Sequence, residues 1–176
     1  MNSTDLYKTL SKIGIKRTDT VMIHGDAIVS TQLSLNKFDQ NVLNSYINML
    51  IDFFYPNGTM IVPSFSYNMS KERVFDKLNT PSEVGMFSEA FRNKPNVLRS
   101  NHPIFSVCSI GKNSKNLTNY NLGDCFGKNS FFDLFTKLNG KIICMGCPLE
   151  RITYLHFAEQ KHKVHYRYIK NFNCAY

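Results

Sequence analysis

Between Arg151 and Glu159 the chain reads Arg-Ile-Thr-Tyr-Leu-His-Phe-Ala-Glu, and three of these residues carry chemistry at helical spacing. His156 and Glu159 are three residues apart and Thr153 precedes the histidine by one turn, so a helix puts all three on one face. A neutral imidazole with a carboxylate one turn away makes an oriented general base, and Thr153 is placed to touch a substrate. Solvated helices carry the same pair by chance, so its meaning depends on what else the chain brings to it.

Three further segments hold reactive or ligand-binding residue types. His24-Gly25-Asp26 follows an apolar run; a glycine there lets the backbone approach a ligand, and exposed N–H groups can hold an anion or a developing oxyanion. An ordinary strand-to-loop turn is the competing reading. Thr80-Pro81-Ser82 precedes a helical pattern, so free N–H groups at a helix start suit a phosphate, or Ser82 simply caps the helix. In Arg99-Ser100-Asn101-His102-Pro103 the arginine offers a fork for phosphate and the serine a short donor. Pro103 biases His102 toward extended backbone, which helps aim its side chain.

Other chemistries lack their motifs. No Gly-x-Ser-x-Gly elbow supports a serine hydrolase, and neither a GxGxxG nor a Walker-type phosphate loop occurs. Cys144-Met-Gly-Cys147, followed by His156, His162 and His165, has the residue types of a zinc site. A second CxxC is missing and the histidine spacing fits no finger, so no metal is expected. Five cysteines in a chain without a secretory leader pattern argue against a disulfide framework and for the cytoplasm.

The elements that must position these residues alternate. Ser3 or Thr4 can cap a first helix carrying Leu6, Leu10 and Ile13, ended by Gly14. Strands are expected at Thr20-Val-Met-Ile-His24, Thr59-Met-Ile-Val62, 104–110 and 141–145, with a further edge strand at 164–169. Helices are expected from the Phe38, Val42, Tyr46, Met49, Phe53 pattern, over 83–91, after the Ser130-Phe-Phe-Asp133 capping box, and around His156. Strands separated by helices imply an α/β fold, a mostly parallel or mixed sheet with helices on both faces, in one domain spanning residues 1–176. Ligand sites in such sheets gather at the carboxyl ends of strands, where His24, the loop after Pro63 and the segment after Gly146 all fall. A net charge of +8 spread over scattered lysines favours phosphorylated small molecules over nucleic acid, and no run is apolar and long enough for a membrane span. Homo-oligomerisation is left open.

Taken together, the ordered segments Val-Met-Ile-His24, Gly58-Thr-Met-Ile-Val-Pro63-Ser-Phe65, Thr80-Pro-Ser82, Phe91-Arg92-x-x-Pro95-Asn-Val-x-Arg99-Ser-Asn-His-Pro103, Gly140-Lys-Ile-Ile-Cys-Met-Gly146 and Thr153-x-x-His156-x-x-Glu159 resemble the aminoglycoside 3-N-acetyltransferase family. The likeness runs from Leu6 to about Phe172. It implies a three-layer α/β/α sandwich with acyl-coenzyme A as donor and an amine as acceptor. By that resemblance His156 deprotonates the amine, Glu159 orients it or helps bind the acceptor, and Thr80 to Ser82 with Arg99 and Ser100 hold coenzyme A. Direct transfer needs no cysteine nucleophile.

Two departures shape the expected substrate. Antibiotic-modifying members usually place two serines after the first-strand histidine, whereas this chain has Gly25-Asp26, which is more like relatives that acylate amino sugars, including nucleotide-linked ones. The basic charge points the same way, because a polycationic antibiotic prefers an acidic site. Members also continue past Phe172, with a portion expected to cover part of the acceptor pocket. The leading expectation is an acyl-CoA-dependent N-acetyltransferase acting on a small-molecule amino sugar. The alternatives are an aminoglycoside 3-N-acetyltransferase conferring antibiotic resistance, or a catalytically weak relative that binds coenzyme A.

Overall fold

The computed structural model describes residues 2–32, 41–69, 74–120 and 122–173. Its centre is a five-stranded mixed sheet in the order β3-β4-β2-β1-β5. The strands are β1 (Thr20–Gly25), β2 (Thr59–Pro63), β3 (Leu98–Arg99), β4 (Val107–Gly111) and β5 (Lys141–Met145). β1 lies parallel to both β2 and β5, while β4 runs antiparallel to β2 and β3 antiparallel to β4. The continuous apolar run of β1 follows from this position, since Val21, Met22 and Ile23 are all fully buried between neighbours and two helical layers.

Strand alternation divides the core in two. Val21, Ile23, Met60, Val62, Cys108, Ile110 and Ile143 face one side and pack against α1 (Ser3–Lys12), α2 (Val42–Phe54) and α3 (Met86–Arg92). Met22, Ile61 and Val107 face the other and meet α4 (Ser114–Thr118), α5 (Phe131–Lys137) and α6 (Tyr154–Lys161) through Leu117, Phe131, Phe132, Phe135 and Phe157. This is the α/β sandwich that the element order implies.

Local signals explain most element ends. Ser130 caps α5 by accepting from Asp133 N–H, as its spacing predicts. The first helix is capped one residue earlier than expected: Asn2 and Asp5 exchange side-chain and backbone hydrogen bonds in a capping box. The helix expected at 83–91 starts at Met86 instead, with Gly85 at the cap position and φ of 106°, a value that excludes most side chains. The expected strand over 104–110 is shortened to Val107–Gly111 because residues 102–105 turn about His102. Residues 164–169 form no strand, since Lys163 turns the chain in the left-handed region (φ 50°) and the following residues fold back on α6. Phe38 and Cys174 lie outside the described residues. Among the described residues no helix is long and apolar enough to cross a membrane.

Candidate active site

The parallel trio β1, β2 and β5 ends on one edge of the sheet, and a cleft of about 420 Å³ opens there, within the range of small-molecule sites. His24, Gly25 and Asp26 form its floor after β1, Phe65 and Tyr67 a wall after β2, and Glu83 to Met86 a second wall at the start of α3. Cys147, Arg151 and Thr153 close the side that leads from β5 into α6. Among the described residues, Asp26 and Glu83 give the lining two carboxylates and Arg151 one guanidinium. Glu83 and Arg151 both lie near enough to Tyr67 for their charges to act on its hydroxyl, whose pKa burial raises.

The β1 turn is built more from internal contacts than its sequence foretells. His24 is 8% exposed. Burial pushes its pKa down to about 4, so the ring is neutral at physiological pH. Its Nε2 is buried without a hydrogen-bond partner among the described residues. Gly25 is small because of Phe87 rather than a ligand: a Cβ there would sit 2.7 Å from that ring. Asp26 N–H donates to the Met145 carbonyl (2.8 Å), and Asp26 Oδ1 accepts from Ile28 N–H (2.9 Å). The Asp26 N–H is therefore spent within the protein, and with a neutral imidazole and a carboxylate as its side chains this turn does not hold an anion. Cys147 likewise spends its thiol, donating to the His24 carbonyl at 3.1 Å.

The segments expected to hold coenzyme A through Arg99 and Ser100 are a buried knot. Arg99 is 5% exposed, and a guanidinium has five N–H groups. Nε donates to Ser106 Oγ, Nη1 to the Lys77 and Thr80 carbonyls, and Nη2 to the Ser64 carbonyl and Ser66 Oγ. With all five spent, Arg99 has nothing left for a phosphate, which corrects that expectation. Ser100 Oγ is fully buried, accepts from Val107 N–H and bonds the Tyr120 hydroxyl. His102 is also removed from substrate: its Nδ1 accepts from Ile104 and Phe105 N–H, and its Nε2 meets Cys125 Sγ at 3.1 Å. Burial lowers the His102 pKa to about 4.

Thr80 Oγ1 accepts from Asp76 N–H, and Pro81 lends its carbonyl to Ser66 Oγ. Ser82 does not cap α3. Its N–H donates to Glu89 Oε2 at 2.7 Å, a carboxylate that Arg92 holds well below the usual range, at about 2. The Ser82 N–H, already given to a carboxylate ahead of the helix start, is not available to a phosphate. Thr80, Pro81 and Ser82 thus brace the wall from behind.

The helix α6 presents a different surface. Tyr154 and Phe157 pack inward with Phe132 and Phe135, while Thr153 lines the cleft and His156 lies one helical turn further on, outside the cleft lining. The His156 side chain is 52% exposed and its Nδ1 lies 3.0 Å from Glu159 Oε2. Glu159 also accepts from Arg167 Nη1 (2.7 Å) and from the Tyr166 hydroxyl (3.2 Å). The His156 hydrogen bond, then those of Arg167 and Tyr166, depress its pKa to about 2. An acidic acceptor beside Nδ1 favours the tautomer protonated at that nitrogen, which has its lone pair on Nε2. A relay of rings connects it to the cleft: His156 meets Phe126 edge-on at 5.7 Å, Phe126 packs on Phe105, and Phe105 touches Phe65 and Tyr67 of the wall.

Sequence reasoning left out Tyr67, Glu83, Arg151, Tyr166 and Arg167. Tyr67 and Arg151 had a usable signal, since each lies within a few residues of a strand's carboxyl end at the cleft, and Glu83 adjoins Ser82. Cys144 and Cys147, weighed as zinc ligands, belong to no group of three or more potential metal-ligating side chains among the described residues.

Comparison with known proteins accords with this architecture. A model of the family described as aminoglycoside 3-N-acetyltransferase matches residues 28–176. Aminoglycoside N(3)-acetyltransferase VII of Streptomyces paromomycinus is 26% identical over 89% of this chain and 59% of its own length. The solved apoenzyme of aminoglycoside acetyltransferase AAC(3)-IVa superposes with a TM-score of 0.79 at 24% identity, covering 92% of this chain and 61% of that one. AAC-IIIb in its binary complex with CoASH gives 0.77 at 22% identity, over 91% and 65%. The chain thus spans less than two thirds of these relatives. It belongs to the aminoglycoside 3-N-acetyltransferase family.

Proposed function

We propose that this chain is an acyl-CoA-dependent N-acetyltransferase whose acceptor is an aminoglycoside, the reading that the sequence alone ranks second to an amino sugar, nucleotide-linked ones included. The observation that carries it is the half-exposed His156–Glu159 pair on the helix entered at Thr153, a residue that lines a cleft with two carboxylates among its described lining residues. Family membership supports the acetyltransferase chemistry, and the relatives' names support the acceptor. Asp26 and Glu83 would attract the ammonium groups of a polyamine, whereas a phosphorylated sugar would meet two like charges. Arg151 is the cation of the wall, and it takes over the donor-phosphate role that Arg99 is too committed to fill.

In this mechanism the acceptor amine attacks the thioester carbonyl carbon. A C–N bond forms, the C–S bond breaks and the coenzyme A thiol leaves. His156 Nε2 takes the proton that the amine loses and passes it to the departing sulfur or to water. Glu159 fixes the tautomer and stabilises the imidazolium that forms, while staying ionised itself. Holding both substrates in one cleft supplies the larger share of the acceleration, and the base adds about 10²–10⁴-fold.

The test is acetyl transfer from acetyl-coenzyme A to a panel of aminoglycosides and, in parallel, to a nucleotide-linked amino sugar. The expected result is turnover of aminoglycosides, with Asp26→Asn and Glu83→Gln raising KM for the cationic acceptor more than they lower kcat. Transfer confined to the nucleotide-linked sugar would restore the other acceptor. Coenzyme A binding by calorimetry with no amine turned over would make the chain a binding relative.

A further inference from the structure

We infer that Arg167 is a positioning residue for His156, acting through Glu159; the inference rests on the reading of His156 as the base. Four contacts close a circuit. His156 Nδ1 meets Glu159 Oε2 at 3.0 Å, and Arg167 Nη1 donates to that same oxygen at 2.7 Å. The Arg167 guanidinium lies over the Phe126 ring, 5.4 Å from its centroid, and the edge of that aromatic contact returns to the imidazole at 5.7 Å. Phe126 is itself held between Phe105 and Phe132, each 5.2 Å away, so the guanidinium is caught between a fixed ring and a carboxylate.

The chain is bent to make this contact. After α6 ends, Lys163 takes a left-handed conformation (φ 50°), Val164 N–H donates to the Glu159 carbonyl, and Arg167 N–H donates to the Val164 carbonyl. That reversal returns Tyr166 and Arg167 to the helix they have just left, while Tyr168 and Ile169 beyond them stand exposed.

The consequence concerns one proton. A carboxylate on an open helix face can rotate toward water, and the imidazole is then free to exchange tautomers. Arg167 holds Oε2, so Nδ1–H has a fixed acceptor and the Nε2 lone pair is the one presented to an amine. Among the described residues, the titratable or charged groups around the pair include Tyr166 and Arg167 from the returning segment, Lys163 and His165 lining one pocket with Glu159, and Asp124 from the loop that bonds Gln160.

The test uses Arg167→Gln, which keeps a polar side chain and removes the charge, and Arg167→Lys, which keeps the charge and loses the fork. Nitrogen-15 NMR reads the His156 ring, with His156→Gln assigning its signals, and steady-state kinetics runs beside it. Arg167→Gln is expected to lower the Nδ1–H population of His156 and to cut kcat about 10- to 100-fold, as for a displaced catalytic group, with KM for the amine within about twofold. Arg167→Lys is expected to recover part of both, and urea unfolding checks that each variant is folded. A ring spectrum unchanged in Arg167→Gln overturns the inference, and so does a rise in KM at constant kcat, which would make Arg167 a substrate ligand. If the unmodified chain turns over no amine, the function fails independently and the NMR result alone decides the role of Arg167.

Discussion

Arg99 and Arg167 are each tied to several neighbours, yet they stand in opposite kinds of region. Arg99 is sealed in, and its five N–H groups meet five acceptors drawn from three separate stretches of chain. Arg167 is partly open, and it grips one carboxylate that faces an imidazole on the surface. The histidines divide in the same way. His24 and His102 are buried and neutral, with pKa values near 4, whereas His156 is half exposed beside an ionised partner. Residue type does not distinguish a fastening from a reactive group. What does is whether a donor or a lone pair remains free once the fold has taken its share.

That contrast can be broken first at Arg99. Arg99→Ala would strand buried carbonyls and hydroxyls, and removing partners from buried polar groups costs about 1–3 kcal/mol each. Since such losses overlap, a destabilisation of about 4 kcal/mol is expected in urea unfolding. A loss below about 1 kcal/mol would mean that the knot is not a fastening. Arg167→Gln is expected to move the urea midpoint little, because its partner carboxylate is solvent-accessible.

The buried histidines sharpen the contrast through pH. Their folded pKa values lie near 4, below the reference of about 6.5 for the unfolded chain. Between these limits the unfolded state binds more protons, so stability falls as pH drops through the window and is constant above it. Each residue contributes a slope of up to about 1.4 kcal/mol per pH unit. Urea midpoints at pH 7.5, 6.5, 5.5 and 5.0 check this before the carboxylates begin to titrate. A flat series down to pH 5 would show that these rings are less desolvated than their burial implies.

A smaller effect is expected at the cleft floor. Gly25→Ala sets a methyl group 2.7 Å from the buried Phe87 ring, and overpacking of that kind costs about 1–3 kcal/mol. Unchanged stability with weakened donor binding would instead return Gly25 to the role of admitting a ligand to the backbone.

The sheet was legible because its signals are local. Thr20–Gly25 and Lys141–Met145 are short apolar runs between turn residues, and Ser130 with Asp133 announces α5 within four positions. The His156–Glu159 pair was legible for the same reason, since both sit on one turn of helix. The fate of Arg99 was not. Its acceptors run from Ser64 to Ser106, and no local spacing records that they converge. Residues 164–169 misled because Val164, Tyr166 and Tyr168 alternate with polar neighbours as an edge strand does. Tertiary contacts override that pattern: Lys163 turns the chain, and Glu159 captures Tyr166 and Arg167. Ser82 looked like a helix cap until Gly85 and Glu89 shifted the start of α3.

Removing the imidazole that the exposed face presents tests the account most directly. Acetyl transfer from acetyl-coenzyme A to an aminoglycoside should be measured for His156→Ala beside the unmodified chain, with a urea midpoint for each. The expectation is a fall in kcat of about 10²–10⁴-fold with the midpoint nearly unchanged, because the side chain is 52% exposed. Turnover within about threefold of the unmodified chain at an equal midpoint would contradict the assignment of the base and with it the chemical role of the α6 face.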